Sequence, residues 1–282
     1  MRRVIFSADD FGLSEEVNEG IERAHREGVL STASLMVTGH AVADAVARAR
    51  RMPGLRVGLH LVVIEGSAVL PPDRIPLLVR ANRSFGQHQL GLGVRYFFQP
   101  PARRQLALEV AAQFRAYTAT GLRLDHANAH KHMHLHPTVG ALLITEGRRH
   151  GLPAIRIPYE PAGPIRLADA TRDTAGAKLL RKWTRLLRIQ ARRAGLRTND
   201  QCFGIAWSGH MTRERVTSLI PRLPPGLSEI YFHPASERGD LLKRLMPGYA
   251  HEAELATLCS PDLPAALERA DVEQTGWSGG TA

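Results

Sequence analysis

The chain has 282 residues, of which 44% are hydrophobic, and a formal net charge of +10. This length predicts one or two domains, since a single α/β barrel commonly takes about 200–250 residues. The two cysteines exclude a disulfide framework and thiolate metal ligation, and without a signal peptide or a run of about 18 apolar residues we expect a soluble, cytoplasmic protein.

The first 61 residues alternate short apolar runs with helical patterns. The runs at residues 4–6, 35–37 and 56–61 predict buried strands. Between the first two runs, Ser14 can cap a helix that stops at Gly28. This order predicts a parallel sheet with right-handed crossovers, either open or closed as a barrel. The predicted fold class is therefore α/β.

Later segments continue the pattern after one interruption. Residues 64–101 are rich in Gly, Pro, Arg and aromatic residues, and we interpret them as a lid-like loop insertion over one end of the sheet. After Asp271 the chain becomes rich in Gly and Ser. We therefore expect one domain over residues 1–271 and a flexible tail over residues 272–282. Further helices and strands are predicted at residues 104–120, 122–124, 137–150, 154–157 and 227–232.

Two segments contain cations but no acidic residue. Between Asp73 and Glu109 lie six arginines mixed with four aromatic residues. Residues 174–197 carry eight Lys and Arg and predict a basic amphipathic helix. A polar helix face without acids is typical of contact with an anionic membrane surface, although a substrate lid or a dimer contact would suit the same pattern.

Five of the thirteen histidines lie within residues 125–137. From residue 130 to residue 136 they occupy every second position, so an extended backbone would place all four on one face. Pro137 then begins a predicted helix. The histidines thus lie where a strand gives way to a helix, which is where α/β folds place chemistry. The alternative is a histidine-rich loop that caps the helix or binds metal adventitiously.

Three predicted strand ends each present a residue that binds metals. These are the pair Asp9 and Asp10, then His60, then His130 in the histidine run. Two imidazoles and one carboxylate leave open positions on a divalent ion, which is the catalytic pattern of ligation. Neighbouring residues in extended backbone point opposite ways, so one aspartate can bind the metal while the other acts as a general base. The alternatives are an aspartate turn before a helix and a hydrogen-bonded core histidine.

Four segments resemble the YdjC-like (ChbG-like) carbohydrate deacetylases, and the resemblance spans roughly residues 3–236. Its most specific signal is the Ser-Ala-Asp-Asp-Phe-Gly-Leu-Ser opening, and the form of residues 125–132 is most similar to the hopanoid-biosynthesis-associated HpnK branch. The branch implies removal of the acetyl group from an N-acetylglucosaminyl hopanoid, and the family implies a distorted β/α barrel of mostly parallel strands. The segments are residues 7–14, 58–60, 130–134 and 231–235.

The resemblance assigns a role to each matching residue. Asp10, His60 and His130 match the metal ligands and Asp9 matches the general base. His233 matches a late histidine that we assign as general acid. One divalent ion is implied: Zn²⁺ is favoured by the ligand types, and Mg²⁺ is also used in the family.

Three further residues are expected near the metal. Asn128 stands where many family members have aspartate, so it cannot supply a negative charge, although its amide oxygen can still orient a ligand imidazole. His132 and His134 would line the sugar pocket or support the ligands from behind. We weigh these two roles equally.

The partners follow from the same resemblance. We expect a lipid-linked amino-sugar substrate and peripheral contact with an anionic membrane surface, at the inner face of the cytoplasmic membrane. We expect no nucleic acid as a partner, because no recognition motif accompanies the positive net charge. The oligomeric state stays open. The alternatives are a deacetylase of soluble N-acetylated oligosaccharides such as chitobiose, another barrel metal enzyme such as a sugar isomerase or phosphodiesterase, and a non-catalytic metal carrier.

Overall fold

A computed structural model describes residues 1–168 and 175–277, with side chains described outside residues 169–182. All strand pairs in these ranges are parallel. The strands are β1 (Arg2–Phe11), β2 (Thr32–Leu35), β3 (Arg56–Leu61), β4 (Ala127–Ala129), β5 (Ala154–Ile155), β6 (Arg197–Thr198), β7 (Gln201–Phe203), β8 (Gly226–Phe232) and β9 (Val272–Gln274).

The sheet curls almost into a barrel. Its strand order is β6-β5-β4-β3-β2-β1-β8-β7, with β9 added to β1. The two outermost strands, β6 and β7, are separated in the chain only by Asn199 and Asp200. The side chain of Asn199 holds this connection against the segment that follows β5, because it bonds to both backbone groups of Ile157 and to the carbonyl of Gln201. The predicted α/β class and distorted barrel are confirmed.

Helices cover the outside of the sheet and complete the crossovers between parallel strands. The first begins where predicted, since the Ser14 side chain accepts the backbone N–H of Val17. The helices are α1 (Glu15–Glu27), α2 (Val42–Arg50), α3 (Gln89–Phe98), α4 (Pro100–Ala119), α5 (Pro137–Arg149), α6 (Ala162–Ala168), α7 (Ala175–Arg193), α8 (Arg213–Leu219), α9 (Asp240–Leu245), α10 (His251–Leu258) and α11 (Asp262–Arg269).

Several predicted boundaries are wrong. The strand expected at residues 35–37 ends at Leu35, and the strand expected at residues 122–124 forms at Ala127–Ala129 instead. In both cases the strand position follows from pairing with β3, because the register places Ala33 beside Val57 and Ala127 beside Leu59. Partner strands thus override the local apolar run.

The segment expected to be a loop insertion contains helix α3 and two short antiparallel bridges. The inner face of α3 is held in place by Tyr96, whose hydroxyl donates to the carbonyl of Val63. Position 174 of the predicted basic helix lies outside the described residues, and α7 begins at residue 175. On α7, Leu187 and Ala191 are buried, whereas Trp183 and Leu186 are exposed.

The C-terminal boundary of the folded domain is corrected from residue 271 to at least residue 277. Strand β9 pairs with β1, and Trp277 is buried between Ile5 and Ala154 with its ring stacked on that of His126. The flexible tail was predicted from the Gly- and Ser-rich composition, and a three-residue strand beside such residues has no recognisable sequence pattern. Residues 278–282 of the predicted tail lie outside the described residues.

None of the described helices is long and apolar enough to cross a membrane.

We predict that Trp277→Ala lowers the free energy of unfolding by about 3–5 kcal/mol, because it empties a buried aromatic site. The matched control is Trp183→Ala, which truncates an exposed tryptophan and should cost about 1 kcal/mol or less. Urea unfolding of both variants measures the difference. Equal losses would mean that the domain ends near residue 271 after all.

Candidate active site

A cavity of about 290 Å³ opens at the carboxyl ends of the parallel strands. Strands β1, β3, β4 and β8 deliver polar side chains to this end of the barrel, as parallel α/β folds do. The structure brings most of the predicted site residues together here. Those that line the cavity include Asp9, Asp10, His60, His130, His132 and His233, joined by Tyr231 and Tyr249.

The two aspartates diverge because β1 is irregular where it ends. Asp10 has a positive φ of 64°, and the pairing of β1 with β2 shifts register between Ala8 and Phe11. Asp10 therefore faces the two histidines, whereas Asp9 faces the interior of the barrel. The divergence matches the expectation from extended backbone, but a bulge produces it.

Asp10, His60 and His130 form a group that could hold a metal ion. One potential ligand atom from each lies within 4.8 Å of the others. Asp10 Oδ1 is 3.3 Å from His60 Nε2 and 3.3 Å from His130 Nδ1. Both carboxylate oxygens of Asp10 are buried without a hydrogen-bond partner among the described residues. Such orphaned oxygens are costly unless a cation occupies the space, so the three residues fit a metal site.

Asn128 fixes the orientation of His60. The Asn128 Oδ1 atom lies 2.6 Å from His60 Nδ1, and it can only accept, so Nδ1 carries the proton. His60 Nε2 then presents a lone pair toward Asp10. The Asn128 Nδ2 group donates to Asp9 Oδ1 and to Ser34 Oγ, at 3.0 Å each. One amide thus connects His60, a member of the group that could hold a metal ion, with Asp9.

The expectation that the histidine run is extended is wrong. Residues His130–Leu135 form 3₁₀ turns interrupted by a kink, where Lys131 and His132 have positive φ angles of 50° and 53°. The histidines consequently leave on different faces. His130 and His132 reach the cavity, whereas His134 is fully buried behind it and bonds through Nε2 to the carbonyl of Arg156. Burial lowers the pKa of His134 to about 3.

His132 contacts the other side of the cavity. Its Nε2 lies 3.1 Å from the hydroxyl of Tyr231, and the two rings meet edge to face. Burial and the neighbouring His134 lower the pKa of His132 well below its ordinary value. Both histidines are therefore neutral near pH 7 and act as hydrogen-bonding groups.

A buried arginine holds Asp9 in place. Arg156 Nη1 and Nη2 donate to the two oxygens of Asp9 at 2.5 and 3.0 Å. On its other edge, Nε and Nη2 donate to Glu229 at 2.9 and 2.7 Å. Burial alone would raise the pKa of Asp9, but the charge of Arg156 holds it well below its ordinary value. Asp9 is thus ionised and rotationally fixed.

His233 approaches the cavity from β8. Burial lowers the pKa of His233 to about 4, and its Nδ1 lies 3.9 Å from Glu254 without a hydrogen-bond partner among the described residues. Glu254 accepts the backbone N–H groups of His233 and Met211, and burial raises its pKa to about 7. The ring of His233 also meets Tyr231 and Tyr249. Glu254 therefore fixes the backbone that carries His233.

Sequence reasoning missed the residues that position the site. Arg156 and Glu229 were interpreted only as parts of predicted strands, and Glu254 lies outside every predicted element. A usable signal existed for the first two, because each is a lone charge within a predicted apolar strand. Such a charge is rarely buried unless it is paired. The pairing of Arg156 with Glu229, however, joins positions 73 residues apart, so no local pattern indicates it.

The arrangement combines a cation site, a fixed carboxylate and neutral imidazoles around one small cavity. These are the parts that hydrolysis of an amide needs: charge stabilisation for an oxyanion, a group that accepts a proton from water, and a group that returns it to the leaving amine.

Comparison with known proteins gives a consistent result. The sequence profile of YdjC-like proteins matches residues 3–269. The chain is similar to carbohydrate deacetylases of Oceanobacillus iheyensis, at 29% identity over 94% of this chain and 100% of that protein, and Geobacillus stearothermophilus, at 30% over 96% and 95%. Its fold is similar to that of an Enterococcus faecalis V583 protein named as a candidate for cellobiose-phosphate cleavage, with a TM-score of 0.76 and 22% identity over 98% of both chains.

We predict that Arg156→Met lowers the free energy of unfolding by about 3–5 kcal/mol, because it leaves two buried carboxylates without a counter-charge. The matched control is Arg213→Met, which breaks exposed ion pairs with Glu214 and Asp262 and should cost about 1 kcal/mol or less. Urea unfolding compares the two. Similar small losses in both variants would show that the interior pair contributes no more than a surface one.

Proposed function

This chain belongs to the YdjC-like family, and from that premise we propose that it is a carbohydrate N-deacetylase, a hydrolase that releases acetate from an N-acetylated amino sugar. The observation that carries the proposal is the juxtaposition of Asp9 with the group Asp10, His60 and His130 at one cavity. The names of the two relatives at 29% and 30% identity support it.

The proposed cofactor is one divalent metal ion held by Asp10, His60 and His130. Two nitrogen ligands and one oxygen ligand favour Zn²⁺, whereas Mg²⁺ would prefer more oxygen ligands. A metal ion bound there would polarise the acetamide carbonyl and lower the pKa of a water molecule.

The protein residues supply the proton transfers. Asp9 accepts the proton of the attacking water, and Arg156 and Asn128 keep its carboxylate aligned during that step. Because burial lowers the pKa of His233 to about 4, its ring is neutral near pH 7; it would first receive the proton that Asp9 takes from water and then donate it to the nitrogen of the departing sugar amine. His132 lines the sugar pocket beside Tyr231, and His134 supports the wall from behind.

We propose an N-acetylglucosaminyl hopanoid as the substrate, on the resemblance of residues 125–132 to the hopanoid-associated branch. The cavity of about 290 Å³ is at the lower limit of ligand pockets and suits one sugar residue with the rest of the substrate outside. A soluble N-acetylated oligosaccharide such as chitobiose, entering by one end, fits this cavity equally well and is the second candidate.

A lipid-linked substrate would bring the protein to a membrane. We propose peripheral contact with an anionic membrane surface through α7, whose exposed residues include Trp183, Leu186, Arg185 and Arg193. Apolar and cationic side chains together on one helix are typical of helices that lie in a membrane interface.

We predict that Zn²⁺ binds at one site per chain and that Asp10→Ala or His60→Ala removes this binding. Asn128→Ala should weaken the affinity about 10- to 100-fold, because His60 loses the group that orients it. Isothermal titration calorimetry measures the affinities, with His40→Ala, an exposed histidine outside the group, as the control. Unchanged binding in Asp10→Ala would place the metal elsewhere.

We predict acetate release from an N-acetylglucosaminyl hopanoid by metal-replete protein, falling about 10²- to 10⁴-fold in Asp9→Ala because the general base is lost. Asp73→Ala, which removes an exposed carboxylate, should keep full activity. N-acetylglucosamine and chitobiose are assayed in parallel. Release from chitobiose alone would keep the deacetylase and reject the hopanoid, and no release from any substrate would reject the proposed reaction.

A further inference from the structure

Helix α3 exposes an apolar face to solvent. Four large side chains on its outer side are exposed to unusual extents: Leu90 by 81%, Val94 by 60%, Phe97 by 46% and Phe98 by 70%. At about 100° per residue these four positions fall within an arc of roughly 100°. They form one continuous stripe, which we call the α3 face. Single exposed apolar residues are ordinary, but a contiguous group of this size marks a contact surface.

The α3 face is not the result of a loosely packed helix. On the opposite side of α3, Leu92 and Tyr96 are buried, and the Tyr96 hydroxyl donates to the carbonyl of Val63 at 2.9 Å. The helix is therefore apolar on both sides. One side packs against the barrel, and the other is presented outward by a fixed scaffold.

The α3 face adjoins the mouth of the active-site cavity. Gln89, the first residue of α3, lines the cavity and donates through Nε2 to the carbonyl of Lys131 at 3.2 Å. Lys131 also pairs with Glu65 at the start of the inserted segment. At the other end of the helix, the ring of Phe97 meets that of His136 at 6.1 Å. A surface that covers the α3 face would therefore also lie against the cavity mouth.

The charges of the segment that carries the α3 face indicate what kind of surface it contacts. The segment that carries it contains six exposed arginines and no acid between Asp73 and Glu109, and none of the six forms an ion pair with another described residue. A second copy of the chain, docked by two-fold symmetry, would bring the two sets of arginines together, which is unfavourable. An anionic surface would neutralise them. The arginines are Arg74, Arg80, Arg83, Arg95, Arg103 and Arg104.

We propose that the α3 face inserts into the interface of an anionic lipid bilayer and holds the cavity mouth at the level of the headgroups. Apolar residues of interfacial helices reach about 5–10 Å into the bilayer while flanking cations bind headgroup phosphates. This inference deepens the proposed function and rests on it for its purpose, since only a lipid-linked sugar requires the mouth to face the membrane.

The test is co-sedimentation of the full chain with vesicles of phosphatidylcholine alone and with about 30% phosphatidylglycerol. We expect binding to the anionic vesicles, weakened by added NaCl, and a loss of about tenfold or more in the partition coefficient of the double variant Leu90→Gln/Phe98→Gln. The matched control is Leu167→Gln on α6, where the side chain is 71% exposed, and it should bind as the unaltered chain does. Thermal unfolding midpoints of all variants check that they are folded.

Three outcomes would overturn the proposal. The first is that the unaltered chain does not bind anionic vesicles, and the second is that the α3 variant binds them as well as the control does. The third is that binding is abolished only by Arg185→Glu/Arg193→Glu on α7. A concentration-dependent dimer that the α3 substitutions dissociate, without vesicle binding, would assign the face to a second copy instead. Sedimentation needs no catalysis, so vesicle binding can be interpreted even if the hopanoid assay shows no acetate release. Equally, the deacetylase assay can be interpreted even if the chain does not bind vesicles.

Discussion

The pairing of Arg156 with Asp9 and Glu229 is the interaction on which the structure of the site depends. Four strands separate β5 from β8 in the sheet, so the contact runs across the interior of the barrel rather than along it. The arginine is fully buried, and its charge is balanced only because both carboxylates meet it with directed hydrogen bonds. Barrel curvature and the orientation of Asp9 are therefore fixed by the same contacts.

From this network the positions of the other site residues follow. Asn128 is oriented by the hydrogen bonds that its amide nitrogen donates to Asp9 and Ser34. Its amide oxygen in turn accepts a hydrogen bond from His60 and so orients that ring. An aspartate at position 128 would place a second carboxylate beside Asp9, where Arg156 is already shared between two acids. The neutral amide of this chain avoids that repulsion and still holds the imidazole of His60.

The sequence predicted the fold class and the residues at strand ends, because alternating apolar runs and the ends of parallel strands are local features with a common geometry. It did not predict the backbone of the histidine run, since the positive φ angles of Lys131 and His132 depend on the surrounding structure. The pairing of Arg156 with Glu229 could not be predicted either, because an ion pair across a barrel produces no periodic pattern in the sequence. Strand β9 was missed because three residues give no pattern apart from their partner β1.

Among the described residues β6 and β7 do not pair, and at this seam of the barrel the contacts are separate hydrogen bonds. In place of a strand ladder, Asn199 bonds to the backbone of Ile157 and Gln201, and the backbone N–H of Cys202 donates to the carbonyl of Tyr159. Glu160 accepts three further backbone N–H groups just after β7. The circumference of a closed barrel is fixed by its strand number and stagger, and widening it would break a whole ladder. At this seam the circumference can increase a little by loosening separate contacts rather than a ladder, so the interior can adjust its width at one point while every strand pair stays intact.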